Sequence, residues 1–556
     1  MNALKIFFVL LFVVTIFSCV KKDLTYNEAK EELEKIQKNI NWTENFVNRK
    51  ANIDIDTKQD INSTLPDISK FPITVDSDQS GNIIVEIFVS TEKAGKGTDG
   101  WLNEVATDFN NREISLSNGK KAKVRIRSIS SGTGVQFIVS EKYIPDAFSP
   151  SNDLWIKMID ANNIKTTVID PKLAGNVAGI VIKDKIFEEL KAKYGTVDLK
   201  SIVNATIQGD LAMGYTNPFA SSTGLNFLMS VLYSFANGDK AKMLSDEVSS
   251  AFQSFQQGVP FVSFTTIQMR DSVEKGGSLD AFVLEYQTFL NTKELKTGYA
   301  FIPFGVRHDN PLYAIGDISD EKIDILKKFA SFVKDAKYQK LAKNYGFNSK
   351  EDYKSEFENI DGSIVLESQK LWKEKKDSGR QIAAVFLCDI SGSMDGEPLM
   401  NLKKALFEGS KFINKENSIG LTVFNSDVTK LVPIKKFNYM QQASFIAGVE
   451  DMVAGGSTAM YDGIMVSLKM LMEEKEKNQN IKPMLFVLTD GETNWGLSLN
   501  RTEPIIRGLK IPIYTIGYNA DIEVLKNLSS INEAASINAE TDDVIYKIGA
   551  LLNSQM

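Results

Sequence analysis

Three stretches of this chain carry small oxygen-bearing side chains, two directly after apolar runs and one in a loop before a helix. In residues 386–398, FLCDISGSMDGEP, Asp389, Ser391 and Ser393 alternate behind an apolar segment. The stretch AGGSTAMYDG carries Thr458 after paired glycines, and PMLFVLTD ends in Asp490, followed by Gly491 and Glu492. Such a set suits a small hard cation. Mg2+ takes about six oxygens in a near-octahedral array and keeps several waters. Serine and threonine hydroxyls supply neutral oxygens without bulk, while aspartates bind directly or hold the waters. A shell rich in neutral oxygens leaves the ion electrophilic and favours a carboxylate arriving from a partner. The glycines let the backbone turn sharply enough for both serine hydroxyls to point inward.

Asp-x-Ser-x-Ser alone is a turn motif; the other two loops in register make it a candidate site. A phosphatase-like role for Asp389 fails, because Ser391 stands where a second acid would be needed. Neither serine sits in a Gly-x-Ser-x-Gly elbow.

The elements that must position these residues begin at Ile382. IAAVFLCD, SIGLTVFNS, PMLFVLTD and PIYTIGY read as strands, alternating with helical stretches such as PLMNLKKALFEGSKFI and AMYDGIMVSLKMLMEEK. Strands this apolar are buried on both faces, as in a doubly wound Rossmann-like sheet, where ligand sites form at the carboxyl ends of strands. From 382 to about 554 the chain resembles a von Willebrand factor type A domain, and its three loops resemble that family's metal-ion-dependent adhesion site. The resemblance implies Ser391, Ser393 and Thr458 as hydroxyl ligands, with Asp389 and Asp490 acting mainly through water or at longer range. It implies Mg2+, or another divalent cation such as Mn2+ or Ca2+, and a protein partner presenting an acidic residue to it. Glu492 lies outside the matched set.

The preceding unit, residues 81–365, alternates strands such as NIIVEIFVS, AKVRIRSIS and GNVAGIVIKD with helices such as WLNEVATDFNNR and GLNFLMSVLYSFA. Alternation of this kind predicts parallel sheets covered by helices. RSISSGTGVQFI, MGYTNPFASSTGLNFL and GGSLDAFVLEYQ resemble a periplasmic solute-binding protein of the phosphate or molybdate type. The implied fold is α/β, with two lobes joined by crossovers near 177–181 and 299–315 and a ligand between them. Hydroxyl residues at helix starts would meet an anion or small polar ligand with side-chain and backbone donors. The candidates are Ser90 and Thr91; Ser130, Ser131 and Thr133; and Ser221, Ser222 and Thr223. Serine and threonine are equally the preferred helix caps. Asp153, Trp155, Glu285 and Tyr286 are further cleft candidates, though acids argue against an oxyanion, so the ligand class stays open.

With 556 residues, two or three domains are expected. Hydrophobic content of 43% and charged content of 24% are those of a folded protein. A net charge of -7 without a basic stripe argues against a nucleic-acid partner. The single histidine, His308, nearly excludes histidine-ligated zinc and reads as a loop or surface residue. Of the two cysteines, Cys388 reads as a buried small hydrophobe. Cys19 closes a stretch with Lys5 and an apolar run, which resembles a bacterial lipoprotein signal with Cys19 as the lipidated residue, although Phe17 departs from that pattern.

The expected organisation is a signal at 1–19, a stalk with one helix at 20–80, the two-lobed unit at 81–365, a charged linker at 366–380 and the type A domain at 381–556. This describes an extracytoplasmic binding protein, lipid-anchored to a bacterial membrane, that contacts a protein partner through Mg2+. The alternative is the solute-binding accessory of an ABC-type uptake system. No nucleophile–base pair and no phosphate loop points to an enzyme.

Overall fold

The computed structural model describes residues 24–53, 64–78, 80–263, 265–274, 279–491, 493–518, 522–531, 536–539 and 544–555. Residues 1–23, with Cys19, lie outside them, as does Glu492. Among the described residues, no helix is long and apolar enough to cross a membrane.

The C-terminal sheet has seven strands, five of them parallel neighbours from Ser418–Phe424 through Ile382–Asp389, Lys482–Thr489 and Ile513–Tyr518 to Ser536–Ala539. Ile382–Asp389 lies at the centre and is buried throughout. Side chains alternate across a strand. Ala384, Phe386 and Cys388 therefore pack with Leu402, Ile446 and Ile548 on one face, and Ala383, Val385 and Leu387 with Ile464, Leu468 and Ile505 on the other. Cys388 is a buried free thiol, its pKa pushed up by that burial. In-register parallel pairing of the central strand with Lys482–Thr489 brings the loops after Asp389 and after Thr489 to the same end of the sheet.

The expected stalk takes a different course. Its helix forms, Tyr26–Gln37, started by a capping box between Thr25 and Glu28. Ala29, Leu33 and Ile36 then pack into the C-terminal core beside Met465 and Ile505. The strand Trp42–Glu44 runs parallel to Val428–Lys436 and becomes the seventh strand of that sheet. Arg49 reaches Glu450 at 2.7 Å and Asp451 at 2.6 Å. In YNEAKEELEKIQ the charges dominate the composition, but the apolar residues fall on one stripe, which folding covers.

The preceding unit contains two mixed sheets rather than purely parallel ones. The first lobe has six strands in the order Ile73–Val75, Lys121–Ser128, Asn82–Val89, Ala147–Ser149, Leu312–Ile315, Thr166–Asp170. The second has five, in the order Tyr299–Arg307, Val177–Lys183, Ala281–Glu285, Met213–Thr216, Phe261–Ser263. Antiparallel pairs arise where the chain passes between lobes, after Asp170 and after Arg307, so each sheet accepts a returning strand.

The expected charged linker is also structured. Gly362–Lys375 is a helix capped by Asp361. Its charges lie outward, while Val365, Leu371 and Trp372 join the core of the two-lobed unit. The Trp372 indole donates to the Tyr215 hydroxyl at 2.7 Å.

Candidate functional site

Asp389 ends the central strand and is fully buried. Its Oδ1 accepts from the Ser391 amide at 2.7 Å and its Oδ2 from the Thr489 hydroxyl at 2.5 Å. The Ser391 and Ser393 hydroxyls lie 3.1 Å apart, and Ser393 donates to Asp490 Oδ1 at 3.0 Å. Four of the five expected residues thus form one connected group.

Thr458 is held beside it through the backbone. The Gly392 amide donates to Gly456 O at 3.0 Å and the Gly455 amide to Ile390 O at 2.8 Å, which joins the first two loops. Gly456 has φ +86°, and a Cβ there would come within 2.9 Å of Ser426 Oγ, so glycine is required. On the other side the Thr458 amide donates to Asn494 Oδ1 at 2.8 Å, while its carbonyl accepts from the Thr493 hydroxyl at 2.7 Å. Sequence reasoning missed Thr489, Thr493 and Asn494. Thr489 had one usable signal, its place beside Asp490; Asn494 had none.

Burial pushes the Asp389 carboxyl above its usual range; the Thr489 and Ser391 bonds oppose this, and Asp490 adds to it. Among the described residues, the hydrogen bonds to these two carboxylates come from hydroxyls and an amide. Among the described residues, no three His, Cys, Asp or Glu side chains gather in a metal-binding group. The oxygens available here come instead from two acids and three hydroxyl residues, a donor set that fits a hard divalent cation.

In the two-lobed unit the structure brings some cleft candidates together and separates others. Ser222 donates to Ser131 at 3.0 Å across the lobes, and the Trp155 indole donates to Ser222 at 2.8 Å. The Gly132 amide donates to Ala220 O at 3.3 Å. Ser130 pairs with Thr133 at 2.8 Å, Thr216 donates to Ser221 at 2.9 Å, and Thr266 donates to Thr223 at 3.3 Å. Ser221 also caps its helix by accepting from Gly224. Ser90 lies with Ser151, Thr91 opens the short helix Thr91–Ala94, and neither bonds to the other two hydroxyl clusters. Tyr286 packs on Phe289 and Phe301 beneath Lys350, while Asp153 accepts from Tyr313.

His308 corrects the surface expectation: it is completely buried where the chain passes between lobes. Its Nδ1 meets Glu285 Oε1 at 2.8 Å, and its Nε2 meets the side-chain amides of Asn152 at 3.0 Å and Asn226 at 3.1 Å. With two NH2 groups facing Nε2, that nitrogen accepts and Nδ1–H donates. These partners lie up to 156 positions away in sequence, which is why the local stretch GVRHDN did not announce them.

The architecture is that of an α/β chain with a unit of two mixed sheets and, at residues 384–548, a match to the von Willebrand factor type A domain family. Among curated relatives, inter-alpha-trypsin inhibitor heavy chain H3 of Bos taurus is 28% identical over 165 residues, 27% of this chain and 18% of that protein. The Pongo abelii counterpart is 31% identical over 162 residues, 26% of this chain and 18% of its own length. The matched stretch is thus less than a fifth of these relatives. Among solved structures, a periplasmic thiamin binding protein aligns with 53% of this chain and 96% of its own, at 11% identity and TM-score 0.39. A von Willebrand factor type A protein from Catenulispora acidiphila aligns with 31% and 42%, at 15% identity and TM-score 0.28.

Proposed function

We propose that this chain is an extracytoplasmic binding protein, anchored to a bacterial membrane through Cys19, whose type A domain engages a protein partner through a divalent cation. Ser391, Ser393 and Thr458 would hold the ion, with Asp389 and Asp490 acting directly or through water. The bound cation would supply an open position for a carboxylate of the partner. Asp389 orients the first loop through the Ser391 amide, and Thr489 fixes the Asp389 carboxylate in turn. Mg2+ suits the neutral-rich donor set, and Mn2+ or Ca2+ would use the same oxygens. The two-lobed unit binds a small ligand or serves as a scaffold, and we assign the chain no catalytic role.

The observation that carries this reading is the Asp389–Ser391–Ser393–Asp490 network, which brings two acids together with no basic side chain bonded to either among the described residues. Isothermal titration of the full chain with MgCl2 tests it. Saturable binding is expected in the wild type, lost in Asp389→Ala and weakened at least tenfold in Ser393→Ala. Unchanged titration in Asp389→Ala would remove the metal assignment.

A further inference from the structure

Of the five tryptophans in the chain, four have partners for their indoles. Trp101, Trp155 and Trp372 are fully buried, and their indoles donate to Tyr338 O at 3.4 Å, Ser222 at 2.8 Å and Tyr215 at 2.7 Å. Trp42 is partly exposed, but the Lys430 ammonium lies 4.0 Å from the centre of its ring. Trp495 differs. It is 60% exposed, and among the described residues its indole makes no hydrogen bond and no aromatic or cation–π contact.

Its backbone is nonetheless fixed against the candidate site. The Trp495 amide donates to Thr458 O at 3.3 Å, alongside the Asn494 amide at 3.1 Å and the Thr493 hydroxyl at 2.7 Å. The Thr493 hydroxyl also reaches Trp495 O at 3.1 Å. One residue on, Gly496 has φ +75°, and a Cβ there would fall 2.6 Å from Asp462 Oδ2. The Leu497 amide then donates to Asp462 Oδ1 at 2.8 Å, on the helix Met460–Lys477 that follows Thr458. The loop is thus tied on both sides of the indole, so a partner that covers this ring has little backbone left to order.

Charge narrows what can cover it. The loops at 389–398, 451–459 and 490–498 carry Asp389, Asp395, Glu397, Asp451, Asp490 and Glu492, and no lysine or arginine. Arg49 reaches them from the N-terminal segment, where it is paired with Asp451. An arriving carboxylate therefore has only a cation at the Asp389 site to meet, and further acids beside it would face like charge. The contact that accompanies it has to be apolar. Val453, 75% exposed, adds aliphatic surface on the loop that leads to Thr458, two residues before the Gly455 amide binds Ile390 O. Tryptophan is among the side chains that most often carry the binding energy of an interface.

We propose that Trp495 determines which partner the type A domain accepts: a protein segment presenting one carboxylate beside an aliphatic or aromatic side chain, with few other acids. The indole receives the apolar side chain while the carboxylate goes to the cation. This rests on the cation reading of the Asp389 site and names the partner of that same site.

The test uses short bead-displayed peptides with a central Asp or Glu and random flanks, selected on the full chain in MgCl2. Selected peptides are expected to carry Leu, Ile, Phe, Tyr or Trp next to the acid, to lack further acids, and to be released by EDTA. The tightest of them should bind Trp495→Ala about tenfold or more weakly than the wild type, with most of the loss recovered in Trp495→Tyr. Both variants should titrate with MgCl2 and melt as the wild type does, because the backbone bonds to Thr458 remain. Peptides without an apolar preference, or equal binding to Trp495→Ala, overturn the proposal and leave the metal site standing. So does a selection that returns no peptide while MgCl2 still titrates. A wild-type chain that does not titrate with MgCl2 removes the cation reading itself, and this proposal with it.

Discussion

The Tyr546 hydroxyl, on the last helix of the type A domain, donates to Gln136 Oε1 at 2.8 Å and lies 3.2 Å from Thr133 Oγ1 in the first lobe of the two-lobed unit. The same helix, Val544–Gln555, ends at Gln555, whose amide donates to Val262 O of the second lobe at 3.3 Å. One helix of the type A domain therefore touches both lobes. It also packs closely on Glu397–Gly409, the helix that follows the Asp389 loop: a Cβ on Gly409 would lie 3.0 Å from Ile548 and 3.2 Å from Leu552.

Removing the Tyr546 hydroxyl should loosen the closed arrangement of the lobes. Tyr546→Phe keeps the buried ring but loses both hydroxyl contacts, at a cost of about 1 kcal/mol. Hydrogen exchange is expected to quicken at residues 131–134 and 219–224, where the lobes meet through Ser131 and Ser222. Exchange that changes only within the C-terminal helix would mean that the helix does not restrain the lobes.

The N-terminal segment should behave as part of the type A domain. Leu33 is completely buried in that domain's core. Leu33→Ala should cost about 2–5 kcal/mol in urea unfolding, as other buried leucine truncations do. Arg49→Ala, which removes two half-exposed ion pairs, should leave the unfolding midpoint nearly unchanged, because solvent screens such pairs. Equal small losses in both variants would return this segment to a loosely attached stalk.

Glu92 should impose a pH dependence on stability. Its carboxyl rises from an ordinary 4.5 to about 7 on folding, so between those values the folded chain binds a proton that the unfolded chain does not. Stability contributed by the neutral acid is therefore present below pH 4.5 and lost as pH rises through about 7. Lys93 on the same helix, Glu285 from the second lobe and Asp99 are the charges acting on it. Burial lowers Lys93 to about 7, so its contribution increases only above that value and does not cancel the acid-side slope. Melting followed from pH 4.5 to 7 should flatten in Glu92→Gln, and an unchanged slope would assign the effect to other groups.

The grouping of the candidate site was partly legible in sequence because its residues sit in short loops next to recognisable apolar strands. Asp389, Ser391 and Ser393 lie within a single turn, and Asp490 follows its own strand directly. Parallel pairing of those two strands then makes them neighbours. Thr489 and Asn494 escaped notice because a hydroxyl and an amide take a role only from the group they face. Thr489 faces Asp389 from 100 positions away, and Asn494 faces Thr458 from 36.

By itself the sequence determined the local periods: which segments alternate, which are striped, and where turns bring small oxygens to strand ends. Tertiary structure alone decided what covers each stripe and which charges are buried. It placed Tyr26–Gln37 on the type A core, put Trp372 against Tyr215, buried His308 between asparagines from both lobes, and buried Glu92 where Glu285 acts on it electrostatically. Periodicity is a property of neighbours in the chain, whereas burial and electrostatic pairing depend on residues that only folding brings together.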